Sequence, residues 1–441
     1  EFRRVLFRSI AFLHPDLGIG GAERLVVDAA VALKQKGHDV TVFTSHHGVK
    51  AFDETKDGTL NVIVHGDFLP RTLFDRFYIL FAIIRALYLA FIVSIQYPHF
   101  DVIFCDQNAA YIPILKLLTS SKILFYCHHP DYVQTSHTGF LKRLYRLPFD
   151  LFEEYCVSMA DMVLVNSLYT QSVYKKSFRT ISQIPEVLYP AVDFETIRKL
   201  ADACPSLPKE LAGMKYFISV NRYERKKGVE KAILGFAKLR IHFGNDVYEK
   251  QKLRLVIAGG YDPRLTENVE YFNELNELAI KEGVADYVVF LRNCPQDLKA
   301  LLIRRSLALI YTPTNEHFGI VPLEAMALRR PVIADQSGGP METVIPGENG
   351  FLCTTWDAYG EAMATLVEKP HLDETLGMNG CERVEKKFSF QAFGDQLDDC
   401  VRKMISVFKP QLYLPFLFLL VFVATRSEER RVGKECRSRW S

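Results

Sequence analysis

The sequence predicts an α/β protein in which two doubly wound parallel sheets form two domains that face a cleft. Short apolar runs of the parallel-strand type alternate with segments whose apolar residues recur at helical spacing. This alternation occurs twice along the chain, and the second series begins near Tyr216. The length of 441 residues is also about three times that of a typical domain, which argues against a single compact unit.

The strand-like runs divide the chain into two domains and a terminal helix. In the first domain they lie near 10–14, 39–44, 61–64, 101–105, 122–126 and 162–165, and in the second they are FISV, LRLVIAG, YVVFL, LALIY and PVIA. A joint near 187–193 separates an N-terminal domain, residues 10–190, from a C-terminal domain, residues 191–387. The segment 388–405 has the pattern of an amphipathic helix, which we expect to cross back between the domains.

The two ends of the chain differ in composition from the rest. Residues 1–9 and 426–441 are rich in Arg and follow no periodicity, so we interpret them as non-native tails; native basic tails are the alternative. Without them the net charge changes from +2 to −3, which leaves no basic field of the kind that indicates nucleic-acid binding. Nine scattered cysteines and the absence of an Asn-x-Ser/Thr sequon are typical of a cytosolic setting.

Two segments are more apolar than this fold requires. Residues 77–95, FYILFAIIRALYLAFIVSI, carry one charge, Arg85, in nineteen positions. Because this segment is apolar on every face, we do not expect a half-exposed surface helix; it lies in the membrane interface, spans the bilayer or forms a buried core helix. Residues 412–424, LYLPFLFLLVFVA, are a second candidate membrane segment, although thirteen residues are short for a span.

A glycine-rich turn follows the first predicted strand. It reads Gly18-Ile19-Gly20-Gly21-Ala22-Glu23 and opens a helix, so the backbone at Gly20 and Gly21 could approach an anionic ligand at the helix N-terminus. The position that a dinucleotide fingerprint reserves for glycine holds Glu23. An ordinary strand–helix turn therefore remains an alternative to a ligand-binding loop.

A basic loop follows the first strand of the second domain. It reads Asn221-Arg222-Tyr223-Glu224-Arg225-Lys226-Lys227-Gly228. Ligands of doubly wound sheets bind at the carboxyl ends of strands, so Arg222 and Lys227 are candidates for holding a diphosphate. A planar guanidinium can chelate the phosphates while an ammonium acts as a point charge. The alternative is a solvated basic loop without a ligand.

The sharpest motif has two carboxylates eight positions apart, Glu316 and Glu324, in the string EHFGIVPLE. We expect Glu316 in a loop, where it can accept hydrogen bonds from sugar hydroxyls, and Glu324 just inside a helix, where it can bind a ribose diol. The backbone N–H groups of Phe318, Gly319 and Ile320 would face phosphates. A second glycine-rich loop, Ser337-Gly338-Gly339-Pro340-Met341-Glu342, follows the next strand, and two such loops are difficult to explain by packing alone.

Together these motifs resemble the retaining GT-B glycosyltransferases of family 4 over about residues 10–405. The shared elements are E-x7-E, N-R-x4-K-G upstream, S-G-G downstream and G-G-A-E near the start. Longer strings are similar to the eukaryotic α-1,3/1,6-mannosyltransferases of dolichol-linked oligosaccharide assembly: HPDLGIGGAERLVVDAA, ILFYCHHPD, VNRYERKKG, IAGGYD and YTPTNEHFGIVPLEAM. The fold that this resemblance implies is GT-B, two Rossmann-like domains around a cleft.

The resemblance assigns roles on the donor side of the cleft. Glu316 matches the first Glu of the motif, which the family places beside the transferred sugar, and Glu324 matches the second, on the nucleoside ribose. Arg222 and Lys227 match the pair that holds the donor diphosphate. The implied reaction transfers mannose from GDP-mannose to a dolichol-diphosphate-linked Man-GlcNAc2 acceptor with retention, first in α-1,3 and then in α-1,6 linkage.

On the other side of the cleft, His128 matches the family histidine near the reacting sugar. His129 directly follows it, so the sequence leaves open which imidazole points inward, and a loop histidine without a catalytic role is the alternative. Gly20 and Gly21 match the glycine loop that lies near the donor phosphates and the acceptor.

The resemblance also implies the surroundings of the reaction. No metal is expected, because the sequence has no Asp-x-Asp and no His/Cys cluster at ligand spacing, and cationic side chains would take the place of a metal. The expected partners are GDP-mannose, the dolichol-linked acceptor, a membrane surface and other early mannosyltransferases of the pathway, at the cytosolic face of the endoplasmic reticulum membrane. The alternatives are a family 4 enzyme that uses a UDP- or ADP-sugar, a two-domain sugar-nucleotide epimerase, and a catalytically idle membrane scaffold of the same fold.

Overall fold

The computed structural model describes residues 7–73, 77–130 and 140–406 and contains two parallel sheets. The first sheet has seven strands in the order β3-β2-β1-β4-β5-β6-β7. Its strands are β1 (Ser9–His14), β2 (Asp39–Thr44), β3 (Asn61–Val64), β4 (Val102–Asp106), β5 (Lys122–Cys127), β6 (Met162–Val165) and β7 (Glu186–Val187). Its helices are α1 (Gly21–Gln35), α2 (Tyr78–Gln96), α3 (Tyr111–Leu118), α4 (Phe140–Ser158) and α5 (Leu168–Ser177).

The second sheet has six parallel strands in the order β10-β9-β8-β11-β12-β13. These are β8 (Lys215–Val220), β9 (Leu253–Gly259), β10 (Val288–Arg292), β11 (Leu309–Tyr311), β12 (Val332–Asp335) and β13 (Gly350–Cys353). The remaining helices are α6 (Phe194–Ala203), α7 (Glu230–Ala237), α8 (Leu239–Phe243), α9 (Val247–Lys250), α10 (Thr266–Lys281), α11 (Gln296–Arg305), α12 (Ile320–Ala327), α13 (Pro340–Thr343), α14 (Trp356–Glu368), α15 (Leu372–Lys387) and α16 (Phe390–Ser406).

The predicted fold class is confirmed. The six strands expected in the first domain lie within one residue of their predicted ends. Four of them are nearly continuous buried apolar runs, whereas β2 alternates and β3 is only partly buried. Strands β7 and β13 were not predicted, since two residues at a sheet edge and the short string GFLC carry no period of their own. Ser9 is the first residue of β1 and its backbone N–H donates to Asp101, so the boundary drawn after residue 9 falls inside the sheet.

The terminal helix α16 joins the two halves of the chain. The chain passes from the first sheet to the second near Val192, whose backbone N–H donates to the carbonyl of Phe388 at 3.0 Å. Immediately after this point α16 begins and packs on α1, with Leu397 fully buried between them. The buried imidazole of His38, just after α1, lies 2.9 Å from Asp398. Helix α16 therefore packs back on the first domain after the chain has completed the second.

Helix α2 has one buried face and one exposed apolar face. The buried face consists of Arg85, Ala86, Leu89, Ala90, Val93 and Ser94. The guanidinium of Arg85 donates to the carbonyls of Leu69 and Ser45, at 2.5 and 3.2 Å, which compensates its burial. The expectation that this segment cannot form a half-exposed helix is therefore wrong, and the reason is physical: an all-apolar sequence cannot indicate which of its faces the sheet will cover.

The exposed face of α2 retains a membrane-like character. The helix is long and apolar enough to cross a bilayer by length and composition, and 33% of its most apolar window is buried inside the protein. The second apolar stretch, residues 412–424, lies outside the described residues, as do residues 1–6 and 426–441 of the suspected tails.

The packing of α16 leads to a stability prediction. We expect Leu397→Ala to lower the free energy of unfolding by about 2–5 kcal/mol, because truncation of a fully buried Leu leaves a cavity. Thermal and urea unfolding of the two proteins measures the change. Asp399→Ala, at an exposed position of the same helix, is the control and should change stability little. Equal stability of the Leu397 variant and the wild type would show that α16 is not integral to the first domain.

Candidate active site

A cavity of about 490 Å³ opens at the carboxyl ends of β8, β9, β10 and β11, within the usual range for a small-ligand site. It is lined by Val220, Asn221, Arg222, Lys227, Gly259, Gly260, Asn293, Cys294, Gln296, Lys299, Tyr311 and Val321. The cavity thus lies at the carboxyl ends of the strands, where doubly wound sheets bind their ligands.

The structure brings two of the predicted residues into direct contact. The ammonium nitrogen of Lys227 lies 2.6 Å from Oε2 of Glu316, and both side chains are partly buried. Lys227 ends a short 3₁₀ turn after β8, and its backbone carbonyl accepts a hydrogen bond from Thr312 at 2.7 Å. This backbone contact orients the lysine from the neighbouring strand. The lysine therefore holds the carboxylate of Glu316 at the mouth of the cavity.

Arg222 lines the same cavity but is not held against Glu316 or Lys227. Its side chain is 61% exposed, and Nη1 lies 2.6 Å from Oε1 of Glu224. The two cations of the predicted pair therefore differ. Lys227 is fixed by Glu316, whereas Arg222 is exposed and pairs with Glu224. The guanidinium end of this ion pair is exposed while Glu224 is largely buried, so Arg222 can swing from the carboxylate toward an anion in the cavity.

Glu324 lies in the second turn of α12, as predicted, and it has a partner that the sequence did not indicate. Lys299 of α11 donates to both carboxylate oxygens of Glu324 at 3.0 Å. Lys299 sits in an ordinary amphipathic helical pattern, which contains no signal for this pairing. The carboxylate is consequently fixed in orientation and its charge is balanced before any ligand hydroxyl reaches it.

The segment before α12 has a shape that only glycine tolerates. Gly319 has φ +84°, and a Cβ there would lie 2.9 Å from the hydroxyl of Tyr311. Phe318 is buried in the second-domain core, whereas Ile320 is partly exposed. The backbone turns sharply here, so the N-terminus of α12 opens on the cleft, where the sequence predicts phosphate contacts by residues 318–320.

The second glycine-rich loop, residues 337–342, packs against the loop that carries Glu316, a contact for which the sequence contains no signal. The N–H of Gly339 donates to the carbonyl of Glu316 at 2.8 Å. A Cβ at Gly338, where φ is +62°, would lie 2.3 Å from that same carbonyl oxygen. Packing alone thus accounts for both glycines. The loop supports the backbone that carries Glu316, so the expectation that two such loops are difficult to explain by packing alone is wrong.

Across the cleft, three strand ends of the first domain bring together His14, Asp106 and His128. His14 is the last residue of β1, Asp106 is the last residue of β4, and His128 directly follows β5. These three strands are neighbours in the sheet. Asp106 is fully buried, with Oδ2 2.9 Å from Nδ1 of His14 and Oδ1 2.8 Å from Nε2 of His128. Sequence reasoning selected only His128. The signal for the other two was a polar residue at the end of a buried strand, in HPD and in CDQN.

This cluster has strongly perturbed ionisation. Burial by itself would lower the pKa of His14, but its contacts with Asp106 and Glu23 outweigh burial and raise that pKa to about 9. Burial would likewise raise the pKa of Asp106, but the two imidazoles beside it lower that pKa below its usual range. The cluster therefore contains a buried carboxylate held charged by imidazolium, which is the kind of environment found at functional sites.

The predicted loop glycines lie at the edge of this cluster. Helix α1 begins at Gly21, and Oε1 of Glu23 lies 4.0 Å from Nε2 of His14. A Cβ at Gly20 would lie only 2.2 Å from Oε2 of Glu23, so glycine makes room for this carboxylate. The nearby imidazole of His14 lowers the pKa of Glu23. The first turn of α1 thus presents a carboxylate beside its N–H groups, which the sequence analysis did not foresee.

The two consecutive histidines face different neighbours. His128 lies against Asp106, whereas the ring centroid of His129 is 5.8 Å from that of His317, which directly follows Glu316. Nδ1 of His317 is 2.9 Å from the hydroxyl of Thr170. Burial, with a smaller contribution from His129, lowers the pKa of His317 to about 4, so this imidazole is neutral at physiological pH. His129 therefore borders the Glu316 loop, and His128 belongs to the Asp106 cluster.

Two facing Rossmann-like sheets with a ligand cavity, a Lys–Glu pair and an acid–imidazole cluster at their strand ends define a GT-B glycosyltransferase. Residues 19–196 match the family model "Glycosyltransferase Family 4" and residues 208–383 match "Glycosyl transferases group 1". Solved structures with the same fold include sucrose-phosphate synthase from Thermosynechococcus elongatus, with a TM-score of 0.68, 22% identity and coverage of 90% of this chain and 99% of that one. Anabaena HepE in complex with UDP has a TM-score of 0.67 at 18% identity, over 90% and 100% of the two chains.

Curated relatives narrow the class to one family. The chain is 44% identical over 412 residues to alpha-1,3/1,6-mannosyltransferase ALG2 of Dictyostelium discoideum, which covers 90% of this chain and 98% of that protein. It is 43% identical to the ALG2 of Mus musculus, over 91% and 98% of the two chains, and 42% identical to that of Homo sapiens, over 90% and 96%. The chain belongs to the ALG2 family of alpha-1,3/1,6-mannosyltransferases, which confirms the family that its motifs resemble.

The buried cluster leads to a pH prediction for stability. A raised histidine pKa stabilises the folded state fully below the ordinary value of 6.5, and this stabilisation is lost as the pH rises through about 9. We therefore expect His14→Gln to lower the melting temperature most near pH 6 and least above pH 9. Thermal unfolding of both proteins between pH 6 and pH 10 measures this difference.

The matched control is His242→Gln, at an exposed position of the second domain, which should leave the pH profile of the wild type unchanged. A melting-temperature difference for the His14 variant that is constant over the whole range would show that His14 is not the group that binds this proton.

Proposed function

We propose that this protein transfers mannose from GDP-mannose to a dolichol-diphosphate-linked Man-GlcNAc2 acceptor with retention, forming an α-1,3 and then an α-1,6 linkage. Membership of the ALG2 family supports mannosyl transfer with these linkages. The single observation in the structure that carries the proposal is the 2.6 Å contact of Lys227 and Glu316 at the mouth of the donor-side cavity. The guanine base and the lipid-linked acceptor follow from the resemblance described for the sequence.

The charges of the site suit the bond that must break. When the anomeric carbon separates from the donor diphosphate, negative charge develops on the leaving oxygen and positive charge on the sugar. Lys227 stabilises the negative charge on the leaving oxygen, and Arg222 is free to join it. Glu316 lies beside the lysine, where the positive charge on the sugar develops. Fixed groups of this kind lower the barrier because they need no reorganisation during the reaction.

The other side of the cleft supplies hydrogen-bonding groups for the acceptor and the transferred sugar. His128 is held by Asp106, and Glu23 stands at the first turn of α1. Retention without an enzymic nucleophile suits a front-face route, in which the leaving oxygen itself receives the proton of the attacking hydroxyl. In this route the described residues orient the two substrates and exclude water rather than form a covalent bond.

Removal of either member of the ion pair tests the proposal. We expect Glu316→Ala and Lys227→Ala each to lower kcat by more than about a hundredfold, comparable to the loss of one preorganised charge-stabilising group. The assay follows radiolabelled mannose from GDP-mannose into a lipid-linked Man-GlcNAc2 acceptor, with UDP-glucose and ADP-glucose as competing donors.

The exposed Lys226→Ala variant is the matched control, because Lys226 neighbours Lys227 but pairs with Glu224. Its turnover should stay near that of the wild type. Near-normal turnover of a folded Glu316 or Lys227 variant would exclude the assignment of this pair to the reaction.

We also propose that transfer needs no divalent metal. No group of three or more His, Cys, Asp or Glu side chains in the described ranges 7–73, 77–130 and 140–406 is arranged to hold a metal ion. We expect activity in excess EDTA to stay within about twofold of the untreated enzyme, since Lys227 and Arg222 provide the charge that a metal would otherwise supply. Complete loss in EDTA, with recovery on addition of Mg²⁺ or Mn²⁺, would contradict this.

The proposed setting is the endoplasmic reticulum membrane, with both domains on the cytosolic side. The exposed apolar face of α2, which includes Leu80, Ile84 and Phe91, supports membrane attachment, and the eight free cysteines among the described residues support a reducing compartment. Apolar contact with a bilayer contributes roughly 0.8 kcal/mol per buried methylene, so this face alone would contribute measurably.

Replacement of that face tests the attachment. We expect Leu80→Ser, Ile84→Ser and Phe91→Ser combined to reduce co-flotation with phospholipid vesicles by at least about fivefold and to reduce use of the lipid-linked acceptor with it. The control is the combination of Ile241→Ser, Leu265→Ser and Ile280→Ser, at exposed apolar positions of the second domain. Unchanged flotation of the α2 variant, measured with the full chain, would show that α2 is not an anchor.

A further inference from the structure

The N-terminal turn of α5, residues 167–170, contacts two loops of the second domain, residues 315–318 and 337–342, which position Glu316. This turn contacts the 315–318 loop through His317 and the second glycine-rich loop through Glu342. We refer to Ser167–Thr170 together with His317 and Glu342 as the α5 clamp. None of these residues lines the donor cavity, so their contacts need an explanation other than ligand binding.

The first half of the clamp holds the loop of Glu316 directly. The hydroxyl of Ser167 donates to the backbone carbonyl of His317 at 2.5 Å, and the Thr170 hydroxyl lies 2.9 Å from Nδ1 of His317. The Ser167 oxygen also accepts from the N–H of Thr170 at 2.9 Å, as the cap of α5. Both Ser167 and Thr170 are fully buried. One residue of the first domain thus caps its own helix and fixes the residue next to Glu316.

The second half is a charged contact between domains. The two carboxylate oxygens of Glu342 accept from the backbone N–H groups of Leu168 and Tyr169, each at 2.9 Å. The Tyr189 hydroxyl donates to the same carboxylate at 2.9 Å. An anion at a helix N-terminus gains from the unpaired N–H groups and from the helix dipole. The contact is therefore stronger than a typical hydrogen bond on a surface.

Glu342 transmits this contact to Glu316 within the second domain. Arg383 of α15 donates to the backbone carbonyl of Glu342 at 2.8 Å, which ties it to its own domain. Three residues before Glu342, the N–H of Gly339 donates to the carbonyl of Glu316. The backbone of Glu316 consequently rests on a loop whose far end is attached to the first domain.

We propose that the α5 clamp closes the two domains on each other and thereby places Glu316 for transfer, with Ser167 and Glu342 as positioning residues. The proposal rests on the proposed function, because it takes the role of Glu316 from there. The chain crosses between the sheets only near 188–194 and 388–390 within the described residues, so these crossings alone leave the domains free to hinge. Displacement of a reacting group by about 1 Å can cost on the order of a hundredfold in rate.

The experiment compares Glu342→Gln and Ser167→Ala with the wild type in the full-length protein. Both changes are small, and Glu342→Gln keeps the shape of the side chain while it removes the charge. We expect kcat to fall about tenfold or more in each. The affinity for GDP should change less than about threefold, because Lys227 and the donor cavity lie within the second domain. Ser167→Thr, which keeps the hydroxyl, should recover most of the lost turnover.

Domain closure is measured separately from activity. Small-angle X-ray scattering of each variant, with and without GDP, should give a larger radius of gyration for Glu342→Gln and Ser167→Ala than for the wild type. The control is Glu348→Gln, at an exposed position six residues after Glu342, which should change neither kcat nor the scattering. A variant that only lost stability would lower the melting temperature but keep the kcat per GDP-binding site.

The outcomes separate this proposal from the proposed function. If Glu316→Ala abolishes transfer while Glu342→Gln and Ser167→Ala keep full kcat and wild-type scattering, the clamp is overturned and the proposed function stands. If Glu316→Ala transfers mannose normally, the proposed function is wrong. The scattering of the two clamp variants then still decides whether this contact closes the domains, and wild-type scattering in both would overturn closure as well.

Discussion

The geometry of parallel sheets is the constraint on which the rest of this structure depends. The thirteen strands among the described residues all pair in parallel, so each sheet has its carboxyl ends on one edge. Short buried strands are mostly apolar along their length, and the polar side chains of this site stand where the strands end or just after them. Asp106, His128 and Lys227 all lie at such ends. The two sets of strand ends face each other, which brings an imidazole cluster and an ion pair from distant parts of the chain to one cleft.

The two sides of the cleft compensate the free-energy cost of their charged groups in different ways. On the second domain Lys227 and Glu316, and likewise Lys299 and Glu324, are pairs of opposite charge that remain partly accessible. On the first domain Asp106 is completely buried, and a buried carboxylate is tolerable only if it is hydrogen-bonded and paired. Two imidazoles meet this need at once. The accessible pairs can exchange partners with a ligand. The groups of the buried cluster are held by one another, so they offer fixed positions against which a substrate can be oriented.

Sequence reasoning succeeded where a signal was local and failed where it depended on packing. Eleven of the thirteen described strands followed from short apolar runs. The helix position of Glu324 and the strand-end positions of Lys227 and Glu316 followed from motif spacing. The roles of Asp106, Lys299 and Glu342 could not be predicted in this way. Each is an ordinary residue in its own segment, and its role depends on contact with another element. The same limit applies to α2, whose uniform apolar sequence contains no information about which face the sheet covers. Glu342 belongs to the second glycine-rich loop of the sequence, yet its carboxylate binds the N-terminus of a helix of the other domain.

The position of α2 connects the apolar surface to the chemistry of the cleft. Ile79, Ala82 and Ile83 of this helix border a small cavity together with Gln107 and Asn108, the two residues that follow Asp106. The side of α2 that carries these three residues therefore stands next to the strand end with the buried carboxylate. The lipid-linked acceptor proposed for this protein has its sugar and its apolar chain on one molecule, so its enzyme needs an apolar surface within reach of the reacting groups. Among the described residues α2 offers such a surface, because its buried face packs on the sheet while its exposed face remains apolar.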